Sequence, residues 1–177
     1  MYFLRYSCLL KWQFNQNDAG GAMMKRIVVI GIGSVIMRDD GIGSKVVETI
    51  EDNLHTHNIN SIVGETDFQC CFDEIKPDDF LIIIDAMTQG KNPGSIEIMC
   101  LVDALKNRRK LRTQHEFSLL DLIELHYLEI EGYFIGIEAA EIGFGFEFSD
   151  PLQKCYVQIC ESVLNTILNI KEEMERA

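Results

Sequence analysis

An apolar run, Arg26-Ile27-Val28-Val29-Ile30, passes into Gly31-Ile32-Gly33-Ser34-Val35-Ile36-Met37-Arg38-Asp39-Asp40-Gly41-Ile42-Gly43. Beyond it, Ile42, Val46, Val47, Ile50 and Leu54 fall on one stripe of a helix. Few architectures accept that order. A short strand with no polar face must be covered on both sides, as it is inside a parallel sheet. A glycine-bent loop leading into an amphipathic helix begins the crossover that parallel strands require.

The rest of the chain repeats the alternation. Ser61–Glu65 reads as a second, shorter strand, and Phe68–Ile75 as a short helix ended by Lys76-Pro77. Phe80-Leu81-Ile82-Ile83-Ile84 is the clearest strand, and Asp85 is expected to end it. A turn at Lys91–Gly94 leads to a strand over Ser95–Cys100, and Lys106–Arg112 reads as a polar, basic loop. Phe117 to Leu125 predicts a buried helix, and Gly132–Ile137 a strand ending at Glu138. Gly143–Phe148 is a loop or an edge. Ser149-Asp150-Pro151 then opens a long terminal helix, with proline at a first-turn position. Its apolar face comprises Leu152, Cys155, Tyr156, Ile159, Cys160, Val163, Leu164, Ile167 and Leu168.

This is the pattern of an α/β fold with helices on both faces of a parallel sheet. In the common doubly wound order the first and third strands lie side by side, and ligands bind beyond their carboxyl ends, where the order diverges. Asp40 lies just past the first strand and Asp85 at the end of the third. Both should flank that crevice.

At 177 residues the chain suits one domain. Residues 1–22 read as an N-terminal extension, with the native start at Met23 or Met24, leaving 23–177 as the folded unit. The formal charge of −12 argues against nucleic acid or an anionic membrane surface as partner. No apolar run approaches the ~20 residues that span a bilayer. The six cysteines, at positions 8, 70, 71, 100, 155 and 160, form no C-x-x-C pair and suit buried free thiols of a cytoplasmic protein.

The glycine loop invites comparison with the dinucleotide fingerprint G-x-G-x-x-G, but Ile36 stands where the third glycine belongs. Two carboxylates at the helix start would also meet a pyrophosphate with like charge. Glu65 is the residue that would hold a ribose. Asp39 is expected to cap the helix and Asp40 to favour its dipole, although one carboxylate satisfies that need. Asp85 either anchors its loop or joins Asp40 in a metal site or a water-activating pair. Of four histidines, His55, His57 and His126 trail helices, whereas His115 precedes one and is either a cap or a ligand. There is neither a G-x-S-x-G elbow nor an H-E-x-x-H helix.

Taken together, the Gly31–Gly43 loop, Ile82-Ile83-Ile84-Asp85-Ala86, His115-Glu116-Phe117-Ser118-Leu119, Gly136-Ile137-Glu138 and Ser149-Asp150-Pro151 resemble the blocks of the nickel-iron hydrogenase maturation endopeptidases. The resemblance runs from about Lys25 into the terminal helix. It departs from the family at Ser34, where asparagine is usual, and at Ala139, where proline is common. It implies a three-layer α/β/α sandwich around a mostly parallel sheet of about five strands. It implies a metal-binding cluster of Asp40, Asp85 and His115, in which Asp40 or Asp85 orients the attacking water. It also implies an endopeptidase that trims the C-terminal extension of a hydrogenase large-subunit precursor after nickel insertion. The nickel would then come with the substrate, with no permanent organic cofactor, and the chain would work as a monomer. A related protease with another precursor, or a nucleotide- or protein-binding module, is the alternative.

Overall fold

The computed structural model describes residues 25–111, 119–126 and 130–176; the expected extension over 1–22 lies outside them. Five strands, β1 (Ile27–Ile32), β2 (Asn60–Glu65), β3 (Phe80–Met87), β4 (Ile96–Cys100) and β5 (Glu131–Glu138), form one sheet in the order β2-β1-β3-β5-β4. The β1–β2, β1–β3 and β3–β5 pairs are parallel, and β4 runs antiparallel to β5. The adjacency of β1 and β3 is the doubly wound arrangement the alternation predicts.

The helices are α1 (Ile42–Thr56), α2 (Phe68–Asp73), α3 (Leu101–Leu111), α4 (Leu119–His126) and α5 (Asp150–Arg176). Because side chains alternate along a strand, each central strand feeds two cores. Val29, Ile82, Ile84 and Ile135 pack with Val46 and Ile50 of α1 and with Ile159, Val163 and Ile167 of α5. Val28, Ile30, Leu81, Ile83 and Phe134 pack on the other side with Cys71 of α2, Leu101 and Ala104 of α3, and Leu119, Leu120 and Ile123 of α4. The result is three layers, α/β/α. Each of the eight residues of β3 is buried, which is why that segment carries no alternation in sequence.

Two expectations need correction. Asp85 does not end its strand: β3 runs two residues further, because β5 goes on pairing with it as far as Met87 opposite Glu138. The basic segment from Lys106 is not a loop but continues α3 to Leu111. Lysine and arginine are good helix formers, and the helix is already seated by the buried Leu101 and Ala104, spaced three apart.

The described cysteines are all free thiols: Cys71, Cys100 and Cys160 are buried, Cys155 is half-buried and Cys70 exposed. Burial pushes the Cys71 thiol up to about 11, so it fills space rather than acting as a nucleophile. Among the described residues no helix is long and apolar enough to cross a membrane.

Candidate active site

The carboxyl edge of the sheet is shaped first by glycine. Gly33 has φ +120°, and a Cβ there would lie 1.9 Å from the carbonyl oxygen of Asp40. A Cβ at Gly43 would lie 2.3 Å from Ile84 O and 2.4 Å from Ile32 O. Without side chains at these two positions, the loop folds back on itself and α1 starts directly against the ends of β1 and β3. Gly43 thus provides the close helix-to-strand approach that the missing glycine at position 36 provides in a dinucleotide loop. The buried Ser44 ties the same junction: its Oγ lies 3.2 Å from Gly31 O and Gly33 O and accepts the N–H of Glu65 at 3.2 Å. Glu65, considered above for a ribose, is an exposed residue at φ 47°, and its carbonyl accepts the N–H of Gly33 at 2.8 Å.

Among the described residues four carboxylates are buried at this edge: Asp39, Asp40, Asp85 and Glu138. Asp39 is not the helix cap. The cap position is Gly41, and a short 3-10 turn over Asp39–Gly41 precedes α1. The Asp39 carboxylate points away from the helix and accepts Ala140 N and Glu141 N at 2.9 Å, and Ser149 N and Ser149 Oγ at 2.7 Å. Both ends of the segment between β5 and α5 are thereby fastened to one side chain. Glu138 does the same for the loop after β3, taking Gln89 N at 2.8 and 3.0 Å, Gly90 N at 2.7 Å and Lys91 N at 3.0 Å.

Asp40 and Asp85 differ from these anchors. Asp40 accepts the N–H of Ser34 at 2.8 Å across its own loop. The carboxylate of Asp85 receives the N–H of Ala86 at 2.7 Å. Burial holds the Asp85 carboxyl well above the usual carboxylate range. The nearby charge of Asp40 adds to that, and the Ala86 N–H opposes it. A carboxyl removed from water beside a second carboxylate keeps its proton or favours a bound cation.

The fold therefore brings Asp40 and Asp85 together, as their places after the first and third strands predict. His115, the third expected ligand, lies outside the described residues. Among the described residues no three His, Cys, Asp or Glu side chains gather as a metal site. Sequence reading missed the anchoring roles of Asp39 and Glu138. Glu138 did carry a signal, since in sequence it is a lone carboxylate closing a buried apolar strand.

A family model described as hydrogenase maturation protease matches residues 44–166. The hydrogenase 2 maturation protease of Escherichia coli (strain K12) is 33% identical over 76 residues, which is 42% of this chain and 46% of that protein. The hydrogenase expression/formation protein HupD of Thiocapsa roseopersicina is 29% identical over 72 residues, 40% of this chain and 33% of that protein. These matches span between a third and a half of the curated relatives. Among solved structures, the NiFe hydrogenase maturation protease HybD from Thermococcus kodakarensis superposes with a TM-score of 0.63 at 24% identity, over 80% of this chain and 98% of that one. The hydrogenase maturating endopeptidase HybD of E. coli gives a TM-score of 0.67 at 20% identity, over 81% and 93%. At such identities the superpositions show a shared fold.

Proposed function

Because the chain belongs to the hydrogenase maturation protease family, we propose that it is an endopeptidase that removes the C-terminal extension of a nickel-iron hydrogenase large-subunit precursor once nickel has been inserted. The observation that carries the reading is the burial of Asp40 and Asp85 together at the junction of β1 and β3, where burial and then the repulsion of Asp40 raise the Asp85 carboxyl. A divalent ion arriving with the substrate relieves that repulsion, so a precursor that carries nickel is favoured over one that does not. Nickel is then part of the substrate, and no organic cofactor is needed.

His115 is proposed as the third ligand. It stands four residues before α4, whose Leu119 and Leu120 pack on the sheet face of Leu81 and Ile83, and strand alternation gives Asp85 that same face. For the chemistry, one carboxylate takes a proton from water as the oxygen adds to the peptide carbonyl, and the proton then passes to the departing amine. A cytoplasmic setting accords with the free thiols, and the chain is proposed to act as a monomer.

The test is incubation of the purified protein with full-length large-subunit precursor, with and without nickel loading. Shortening of the loaded precursor alone is the expected result. An intact loaded precursor after prolonged incubation would refute the activity. Cleavage indifferent to nickel would refute the metal-sensing role.

A further inference from the structure

The Gly143–Phe148 segment has no part in the chemistry above, yet it is built with care. Phe144 and Phe146 are 75% and 72% exposed, and their rings meet edge to face at a centroid distance of 5.8 Å. Ile36, 45% exposed, belongs to the facing loop. The two loops are stitched by backbone bonds: Arg38 N donates to Gly145 O at 2.9 Å, Gly145 N to Ile36 O at 3.0 Å, and Asp39 N to Glu141 O at 3.3 Å. Arg38 also pairs with Glu141 at 2.8 Å. Gly145 lets the strands close, because a Cβ there would lie 3.0 Å from Cγ of Arg38. Asp39 then clamps both ends of the segment.

Ring exposure on this scale at a mobile tip would be unremarkable. Here the rings are held on a stiff support whose clamp, Asp39, is the immediate neighbour of Asp40. We propose that Ile36, Phe144 and Phe146 form the platform on which the precursor polypeptide lies, through apolar side chains next to its scissile bond. This rests on the endopeptidase reading.

The size of the patch selects the occupant. Two phenylalanines and an isoleucine exposed to this degree offer on the order of 400 Å² of apolar surface. A stable pair of copies needs ~800 Å² from each partner. The patch is half of that, and it suits two or three side chains of an extended chain. Because its backbone is already fixed, little ordering is lost when a peptide binds.

The test compares the wild type with the Phe144→Ser/Phe146→Ser double variant. Val157→Ser is the control, since Val157 is also an exposed apolar residue, 67% exposed, but lies on α5. Binding and cleavage of full-length nickel-loaded precursor are both measured with Asp40 and Asp85 intact, binding over times too short for turnover. The expected result is that the double variant binds the precursor about ten-fold more weakly or worse, with a matching rise in KM, while the control changes neither. Both variants should melt close to the wild type, since the rings are largely exposed.

A wild type that cleaves, with an unchanged Kd and KM in the double variant, would overturn the platform and leave the endopeptidase reading standing. Phenylalanine-dependent binding without cleavage would uphold the platform and overturn the endopeptidase reading. No binding by the wild type would overturn both. A wild-type dimer in sedimentation that the double variant abolishes would assign the patch to a second copy instead.

Discussion

Asp39 and Asp40 are adjacent in the chain and almost equally withdrawn from water, yet their surroundings have little in common. Asp39, like Glu138, is surrounded by N–H and O–H donors that come from distant loops. Asp40 meets the N–H of Ser34 in its own loop and the charge of Asp85. The first environment stabilises a carboxylate where it is and so fixes backbone. The second makes ionisation of Asp85 costly, through burial and the charge of Asp40, and a proton or a cation reduces that cost. Burial alone therefore does not mark a functional acid; what matters is how its charge is met.

The comparison breaks most sharply under one conservative change made at each position. Asp40→Asn and Asp85→Asn should each reduce precursor cleavage roughly a thousand-fold or more, about 4 kcal/mol of barrier. The melting temperature of Asp85→Asn should not fall, since its carboxyl takes the N–H of Ala86, which an amide oxygen can still accept. Full activity in both variants would remove the pair from the proposed chemistry.

Next in size is the effect on stability at the anchors. Asp39→Asn turns an amide N–H₂ toward backbone N–H groups that need an acceptor, and Glu138→Gln does the same to the loop at 89–91. Each should cost about 3 kcal/mol, which in a chain of this size lowers the melting temperature by roughly 6–12 °C. Thermal unfolding followed by circular dichroism reads this directly. An Asp39→Asn protein that melts with the wild type would mean that the segment before α5 does not depend on its clamp.

The same contrast explains what could be read from the chain before its structure. Strands with no polar face announce a covered parallel sheet, and the adjacency of β1 and β3 follows from the common winding order, so Asp40 and Asp85 were legible as neighbours. The partners of Asp39 were not. They lie 101 to 110 residues away, and those of Glu138 lie 47 to 49 away, whereas a helix cap is a local pattern that position 39 also fits. The extent of β3 was misread for a related reason. A charged residue looks like the end of a buried strand, but strand length is set by the partner, and β5 pairs beyond Asp85. The basic run in α3 looked like a loop because its polarity hides helix formers that continue a seated helix.

The smallest effect is the one that separates the pair from the anchors most cleanly. The folded protein holds the Asp85 proton more tightly than the unfolded chain, where an aspartate titrates near ~3.9. Below about pH 4 both states are protonated and nothing is lost. As the pH rises from there through the higher folded value, the unfolded chain releases the proton while the folded protein retains it, so stability declines across that window. Asp85→Asn cannot ionise and escapes the decline. In chelator-treated buffer, its melting temperature should converge with that of the wild type toward pH 4 and rise above it toward neutrality. Asp39→Asn, measured alongside near neutrality, should instead fall below the wild type there, because it loses an acceptor rather than an unwelcome charge. Parallel curves for Asp85→Asn and the wild type would show that Asp85 ionises without penalty, and the distinction between the anchors and the pair would then be one of hydrogen-bond number alone.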